Sequence, residues 1–239
     1  MLHRFANPAR FSRIAAKVLP WSTAATIALF VIGLYFALFA SPADFQQGET
    51  VRIMYVHVPS AWISIGCYTF IAVMSAVALI WKHPLADIAA RAAAPLGAGF
   101  TLIVLITGSL WGKPTWGTWW VWDARLTSVL VLFFLYLAYI ALANASSEKG
   151  GVSRVTAIFG IVGAINIPII NRSVIWWNSL HQPASITVSG SSIDSAFLWP
   201  LMVNVVGFSL LFGAIILMRM RMILAQTKVE ARLKRMAAE

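Results

Sequence analysis

This chain has few charged side chains and a single cysteine. Only 11% of its 239 residues are charged, whereas 60% are hydrophobic. A soluble domain of this length needs far more charge to cover its surface, so a soluble globular fold is excluded. The single cysteine, Cys67, has no second cysteine to pair with, and no CxxC or CxxCH motif is present. These absences exclude a dithiol oxidoreductase and a cytochrome with covalently attached haem.

Motifs for nucleotide and metal chemistry are missing as well. The sequence contains no Walker A loop and no H-E-x-x-H motif, which are the usual signatures of nucleotide hydrolysis and of catalytic zinc. The apolar runs hold very few acidic residues, whereas proton pumps and ion-coupled transporters place such residues within their spans. We therefore expect no enzymatic activity of the chain itself.

Long apolar runs make up most of the sequence, and each is long enough, or nearly so, to cross about 30 Å of hydrocarbon as a helix. The predicted spans are residues 21–40, 60–81, 94–111, 126–143, 155–170 and 196–218. Asn166 and Pro168 interrupt the fifth. The sequence predicts an all-α integral membrane protein, a single membrane domain over residues 1–239 built as a six-transmembrane-helix bundle.

Basic residues set the predicted orientation of this bundle. The formal net charge is +10, but the charges sit in short segments between apolar runs, which favours membrane orientation over nucleic-acid binding. Fourteen Lys and Arg residues lie in the two termini and in the 82–93 and 144–154 loops, against four in the other three loops. Both termini are therefore predicted to be cytoplasmic. Residues 219–239 form a basic cytoplasmic tail, either an amphipathic helix or a solvated arm.

The first apolar run follows four basic residues, as in a signal peptide. Its length of about 20 residues exceeds that of a signal-peptide apolar core. We interpret the run as a retained span.

Tryptophan is abundant and unevenly placed. Of the 11 tryptophans, nine fall at or beyond the predicted outer ends of the spans, and five lie between residues 111 and 122. An interfacial aromatic belt accounts for one or two per helix end on both faces, and so does not explain this cluster. Residues 112–125 are predicted as an outer tryptophan-rich loop.

The spacing within this loop suggests an aromatic surface. If the loop is helical, Trp116, Trp119, Trp120 and Asp123 share one face, which would lie toward lipid or a flat apolar ligand. Asp123 has a further role available as the N-cap of the helix predicted to begin near Leu126.

Two histidines fall in the outer loops on either side of the tryptophan-rich loop, His57 and His181, whereas His3 and His83 are predicted to be cytoplasmic. A lone interfacial histidine is usually an amphipathic anchor. Two of them beside a tryptophan cluster suggest axial ligands for haem iron, with aromatic rings as a floor for the porphyrin.

The outer cations suit the same ligand. Haem propionates are anionic, and Arg52, Arg125 and Arg172 are among the few outer cations available to pair with them. Ordinary contact with lipid headgroups is their alternative role.

The run from Trp111 to Thr127, WGKPTWGTWWVWDARLT, resembles the tryptophan-rich WWD motif of haem-handling proteins in cytochrome c maturation. With six spans and two outer histidines flanking the motif, the whole chain is most similar to the CcmC (haem exporter protein C) family. The haem lyase subunits of the same superfamily have many more spans and additional histidines.

The resemblance implies a protein that holds haem b without a covalent bond at the periplasmic face of the bacterial inner membrane. His57 and His181 would be the axial ligands of the iron. The haem platform and the contact for a chaperone would come from Trp116, Trp119, Trp120, Trp122 and Asp123. The partners of this family are the haem chaperone CcmE, which receives the haem, the ABC transporter subunits CcmA and CcmB, and the small membrane protein CcmD.

Two other functions stay open from the residues alone. A permease for haem or another solute would need a polar pathway, for which the spans offer few candidates beyond Asn166 and Asn204. A cytochrome b-like electron carrier usually holds haem through histidines within its helices, whereas His57 and His181 are predicted to lie in loops.

The charge distribution makes the topology testable. Reporters fused after Glu239 or within residues 82–93 should be active on the cytoplasmic side, and reporters within residues 112–125 on the periplasmic side, because basic segments are retained in the cytoplasm. A C-terminal reporter on the periplasmic side would contradict this orientation and would place the histidines and tryptophans on the wrong face.

Overall fold

The computed structural model describes residues 7–147, 153–187 and 189–238. His3, Arg4 and Lys149, which the sequence places on the cytoplasmic side, lie outside the described residues.

Most of the described chain is helical, and six helical segments, counted over those residues, are long and apolar enough to cross a membrane. The α-helices are α1 Pro8–Tyr35, α2 Met54–Trp81, α3 Pro84–Trp116, α4 Ala124–Ser147, α5 Arg154–Gly163, α6 Asn166–Trp176 and α7 Ser195–Met236. A π-helical turn, Phe36–Ala40, extends α1, and a 3-10 turn, Glu49–Ile53, leads into α2. The predicted all-α bundle of six spans is confirmed.

The helices extend beyond the predicted spans. The first begins at Pro8 rather than near residue 21, because the Asn7 side chain accepts hydrogen bonds from the backbone N–H groups of Ala9 and Arg10 at 2.9 and 3.1 Å. A proline at the first helical position is favourable, since its missing N–H would have no helical partner.

The fifth span is broken into α5 and α6 at residues 164–165. Pro168 has no N–H to donate to the carbonyl of Ala164 four residues earlier, which weakens the helix at this point. Asn166 follows the break, and its Nδ2 donates to the Ser128 carbonyl of α4 at 2.9 Å. The interruption that the sequence predicted in the fifth span is therefore a break in the helix, and a hydrogen bond between α6 and α4 stabilises it.

The basic tail is helical, since α7 continues to Met236 without interruption. Its 42 residues are far more than the roughly 20 that a membrane span requires. At the start of the tail, the Arg219 Nε donates to the Ala92 carbonyl of α3 at 2.9 Å. This bond fixes the tail against the bundle.

The centre of the bundle is formed by α2 and α3, which pack on each other and on α4, α5 and α7. Tyr68 and Tyr136 are fully buried there, with ring centroids 5.0 Å apart, and the Tyr136 hydroxyl donates to the Ser64 carbonyl at 2.6 Å. Glycines give these rings space: a Cβ on Gly97 would lie 2.2 Å from the Tyr136 ring. Small residues commonly let membrane helices approach in this way.

One end of the bundle carries the functional candidates, and we call it the tryptophan end. It contains the tryptophan-rich loop between α3 and α4, the segment leading into α2, and the segment between α6 and α7. The last of these includes a two-stranded hairpin that the sequence did not predict, β1 Ile186–Thr187 and β2 Gly190–Ser191, in which Ile186 is paired with Ser191. The opposite end carries the tight turn at Lys82 and His83.

Packing at Gly97 gives a testable prediction. Gly97→Ala should lower the apparent melting temperature of the protein in nanodiscs, because forcing a methyl group into a filled core typically costs about 1–3 kcal/mol. Gly99→Ala is the matched control on the same helix, since a Cβ at Gly99 meets nothing within 4 Å. Equal melting temperatures for the two variants would contradict the tight packing of Tyr136.

Candidate functional site

The tryptophan-rich loop is helical only at its two ends, where residues 112–116 belong to α3 and residues 124–125 to α4. Gly117 ends α3 in a left-handed conformation with φ of 78°, and its N–H donates to the Lys113 carbonyl at 3.0 Å. Glycine is the residue that most readily adopts this helix-terminating conformation. The predicted helical face of Trp116, Trp119, Trp120 and Asp123 is therefore wrong: Trp116 ends α3, and the others lie on a non-helical segment.

Asp123 caps α4, as the sequence predicted. Its Oδ1 accepts a hydrogen bond from the Leu126 N–H at 2.7 Å, and its carbonyl accepts from the Thr127 N–H at 3.0 Å. The other carboxylate oxygen, Oδ2, accepts a hydrogen bond from the Ser179 hydroxyl. One side chain thus joins the tryptophan-rich loop, the start of α4 and the segment that follows α6.

His181 lies beside this carboxylate. Its backbone N–H donates to Ser179 Oγ at 3.1 Å, and its Nδ1 is 3.9 Å from Asp123 Oδ2. At that distance no hydrogen bond is formed, and Nδ1 is buried without a partner. The His181 ring packs against Trp116, with centroids 4.9 Å apart.

The charge state of His181 follows from its surroundings. Burial, with a smaller contribution from Arg125, lowers the pKa of His181 to about 4, and the Asp123 carboxylate opposes this shift. Above that pKa the imidazole is neutral, which is the state that can donate a lone pair to a metal.

His57 lies in α2, one turn from its start, so the prediction that it falls in a loop is wrong. The 3-10 turn Glu49–Ile53 leads directly into α2, so that the helix includes His57. The His57 Nδ1 is 2.9 Å from Thr107 Oγ1 of α3, and the ring meets Trp111 edge-on at 5.7 Å between centroids.

The hydrogen bonds of the Thr107 hydroxyl indicate the tautomer of His57. This hydroxyl has one hydrogen, and the Ile103 carbonyl accepts it at 2.6 Å. Towards His57, Thr107 Oγ1 can therefore act only as an acceptor. We infer that Nδ1 of His57 carries the proton and that Nε2 keeps its lone pair.

Both histidines line one pocket. Trp116, Trp120 and Arg125 line it as well. Gly108 of α3 also faces His57, since a Cβ at Gly108 would lie 3.2 Å from His57 Cε1. Five of the ten residues selected from the sequence therefore meet in one place.

Of the other five candidates, Asp123 adjoins the pocket beside His181, and four lie elsewhere. Trp119 and Trp122 line an adjoining groove instead of the pocket. Arg52 bonds to the Ala37 carbonyl and to Glu49 and Ser41, and it does not line the pocket. Arg172 is exposed on α6 and does not line the pocket either.

Sequence reasoning missed several residues that hold the histidines. Thr107 and Trp111 contact His57 from α3. Residues four apart lie on the same face of a helix, so the sequence could have placed these two side chains together. Trp111 Nε1 in turn donates to Gln47 Oε1 at 2.7 Å. Ser179 had no signal, because its role depends on how the chain after α6 folds back onto Asp123.

The donor set suits a metal that is already held by another ligand. Across the ranges that the structure describes, no group of three or more His, Cys, Asp or Glu side chains is placed to hold a metal ion. Two imidazoles are few for a bare ion. They match the two coordination positions that iron inside a porphyrin leaves open. The fold and the pocket together define a multi-pass membrane protein with a paired-histidine pocket at one end of its bundle.

Comparison with known proteins gives the family. The family profile described as "Heme exporter protein C" (CcmC) matches residues 1–235. Proteins of that name from Bradyrhizobium diazoefficiens and Escherichia coli K12 are 54% and 46% identical over 90% and 92% of this chain, covering 82% and 89% of their own lengths. A "putative cytochrome c biosynthesis ccmC-like mitochondrial protein" of Marchantia polymorpha is 47% identical over 82% of this chain and 83% of its own. The chain belongs to the haem exporter protein C family.

Proposed function

We propose that this protein holds haem b non-covalently at the periplasmic face of the bacterial inner membrane and hands it to the haem chaperone CcmE during cytochrome c maturation. His57 and His181 would bind the iron from its two axial sides, and the tryptophans around them would hold the porphyrin. Haem is the cargo of this protein, and iron contributes the two open coordination positions that the histidines fill.

The observation that carries this proposal is that both imidazoles line one pocket and each has an oxygen near its Nδ1. His57 Nδ1 is within hydrogen-bond distance of Thr107 Oγ1, at 2.9 Å, and His181 Nδ1 is 3.9 Å from Asp123 Oδ2. An acceptor at Nδ1 keeps the proton there and leaves Nε2 as the ligand atom. The 3.9 Å gap between His181 and Asp123 would close when the ring turns to meet the iron, which would also satisfy its orphaned Nδ1.

Arg125 is the cation best placed for a haem propionate. It lines the pocket, and its contacts with Ser173 Oγ and the Ile170 carbonyl are both long, at 3.4 Å. Its guanidinium therefore keeps donors free for a carboxylate. Because Arg52 is already bonded to Ala37, Ser41 and Glu49 and Arg172 is exposed, we assign the propionate role to Arg125 alone.

Handover requires that a partner reach the bound haem. Trp119 and Trp122 are 55% and 77% exposed at the tryptophan end, and large aromatic side chains are frequent anchors of protein interfaces. We assign these rings to the contact with CcmE. The transporter subunits CcmA and CcmB and the small protein CcmD complete the proposed assembly.

A haem or solute permease is the alternative, and the polar residues of the spans argue against it. Asn204 Nδ2 donates to the Gly33 carbonyl of α1 at 3.1 Å, and Asn166 donates to α4. Both join helices to one another instead of lining a pathway. Against an electron carrier, which usually holds haem through histidines within its helices, His181 lies in a loop, although His57 lies in α2.

The ligand assignment is tested by replacing each histidine. His57→Ala or His181→Ala should convert the low-spin, two-histidine haem spectrum to a five-coordinate one or abolish it, and the double variant should purify without haem. His83→Ala is the control, because His83 lies at the opposite end of the bundle, between α2 and α3. A normal haem spectrum in the double variant would show that the axial assignment is wrong.

Asp123→Asn separates capping from ligand orientation. Asparagine caps helices as well as aspartate does, but its amide N–H group would face His181 Nδ1 and favour the tautomer protonated at Nε2. We expect haem affinity to fall by about 10–100-fold, as for other residues that orient metal ligands, with an unchanged melting temperature. The measurement is haem titration of the apoprotein by absorbance.

Asp194→Asn is the matched control for this substitution. Asp194 caps α7 at the same end of the bundle, where its Oδ1 accepts from the Ala196 N–H at 2.8 Å. This variant should bind haem like the wild type. If Asp123→Asn also binds haem like the wild type, Asp123 is only a helix cap.

A further inference from the structure

The basic tail, which the proposed function does not use, extends beyond the rest of the bundle. Leu224 is the last buried residue of α7, and every residue from Ala225 to Met236 is exposed. This stretch lengthens the helix by about 18 Å, at about 1.5 Å per residue. We call residues 219–236 the helical arm. It lies at the end of the bundle opposite the tryptophan end.

The outer part of the helical arm lies outside the bilayer. Trp199, near the start of α7, is 63% exposed, as is typical of a tryptophan at the membrane interface. A hydrocarbon core of about 30 Å takes about 20 residues of helix, which brings the axis to Arg219. Residues from Ala225 onward are about 9 Å or more further along the axis, beyond a headgroup layer of about 5–8 Å.

The helical arm has a fixed direction. Between Gly213 and Met236 the sequence contains neither glycine nor proline, and α7 continues without a break to Met236. At the base of the arm, the hydrogen bond from Arg219 Nε to the Ala92 carbonyl joins α7 to α3. A straight helix anchored in this way points away from the membrane surface, so its side chains do not lie on lipid.

Two rows of side chains run along the helical arm. The apolar row is Met222, Val229, Leu233 and Met236, and with Gln226 its spacing is 4, 3, 4 and 3, the repeat by which one helix packs along another. A basic residue precedes each member of the apolar row, and these form the basic row: Arg221, Lys228, Arg232 and Arg235. Because consecutive residues are about 100° apart around a helix, the two rows lie side by side.

The apolar row is exposed over its length. Val229 and Leu233 are each 58% exposed, and Met236 is 63% exposed. Beyond the bilayer these side chains contact water. A helix that repeats apolar residues along one face normally packs that face against another element, so the apolar row is a surface for a partner.

The charge of the helical arm indicates which partner fits. Residues 219–236 hold six basic side chains and a single acidic one, Glu230. A second copy of the arm would bring like charges together, which is unfavourable. A helix that has its own apolar row with carboxylates beside it complements both rows.

We propose that the helical arm binds an acidic amphipathic helix of a cytoplasmic protein. The apolar row packs on the apolar residues of that helix, and the basic row pairs with its carboxylates. The cytoplasmic side follows from the predicted topology. Because the arm and the histidine pocket lie at opposite ends of the bundle, this binding does not depend on haem.

Photo-cross-linking in living cells tests the surface. The photoreactive residue p-benzoylphenylalanine replaces Leu233 in the apolar row or, as the matched control, Ala231 on the opposite side of the helix. We expect a protein cross-link from position 233 and none from position 231. Mass spectrometry should map it to a segment with net negative charge and apolar residues three and four apart.

Other cross-linking results would overturn the proposal. These are equal cross-links from both positions, or cross-links from position 233 to lipid, to nucleic acid, to a second copy of this chain or to a segment without acidic residues. Absence of any cross-link from position 233 and from position 229 in the same row would overturn it as well.

Charge reversal tests the basic row. Arg232→Glu and Lys234→Glu change the net charge of the helical arm equally, but only Arg232 belongs to the basic row. The probe is a synthetic peptide of the cross-linked segment, and its binding to the full-length protein in nanodiscs is measured by fluorescence anisotropy. Arg232→Glu should weaken binding about tenfold or more, whereas Lys234→Glu should bind like the wild type.

Exchanging the charges separates a charge pair from damage to the fold. A peptide with its acidic residues replaced by lysine should bind Arg232→Glu more tightly than it binds the wild type. Equal binding of the original peptide by Arg232→Glu and Lys234→Glu, or no gain with the exchanged peptide, would overturn the role of the basic row.

Discussion

The carboxylate of Asp123 is the interaction on which the arrangement of the tryptophan end depends. It caps α4 through one oxygen, holds Ser179 through the other, and lies next to Nδ1 of His181. His181 comes from a segment with little regular structure, so it needs an external anchor, whereas His57 is carried by a helix and held by Thr107 on the neighbouring helix. The same side chain therefore stabilises the fold and brings the second histidine to the pocket.

The bilayer explains why so few side chains carry the chemistry. Within hydrocarbon every polar group must be paired inside the protein, and Asn166 and Asn204 are used to join helices. The side chains that can bind a ligand therefore lie at the end of the bundle, where the helices end and the loops contact water. There the chain can present imidazoles, an arginine and indole rings to a ligand that is itself mostly apolar but carries charge on one edge.

Much of this could be predicted from the sequence, because length, hydropathy and capping are local properties. The six spans and the Asp123 cap followed from runs of apolar residues and from a single Asp before a helix. The shape of the loop could not be predicted in this way, since Gly117 adopts a left-handed conformation after which Trp116 lines the pocket and Trp119 lines the adjoining groove. The partners of Arg52 and the fold of the chain around Ser179 depend on contacts between distant segments, which spacing along the sequence does not encode.

The central claim is that two histidines bind one iron through their Nε2 atoms. Pulsed electron paramagnetic resonance of the ferric protein, labelled with nitrogen-15 only in histidine, measures this most directly. The account predicts a low-spin signal with two strongly coupled histidine nitrogens, both assigned to Nε2 by selective labelling of the ring. A single coupled histidine nitrogen, or coupling through Nδ1, would contradict it.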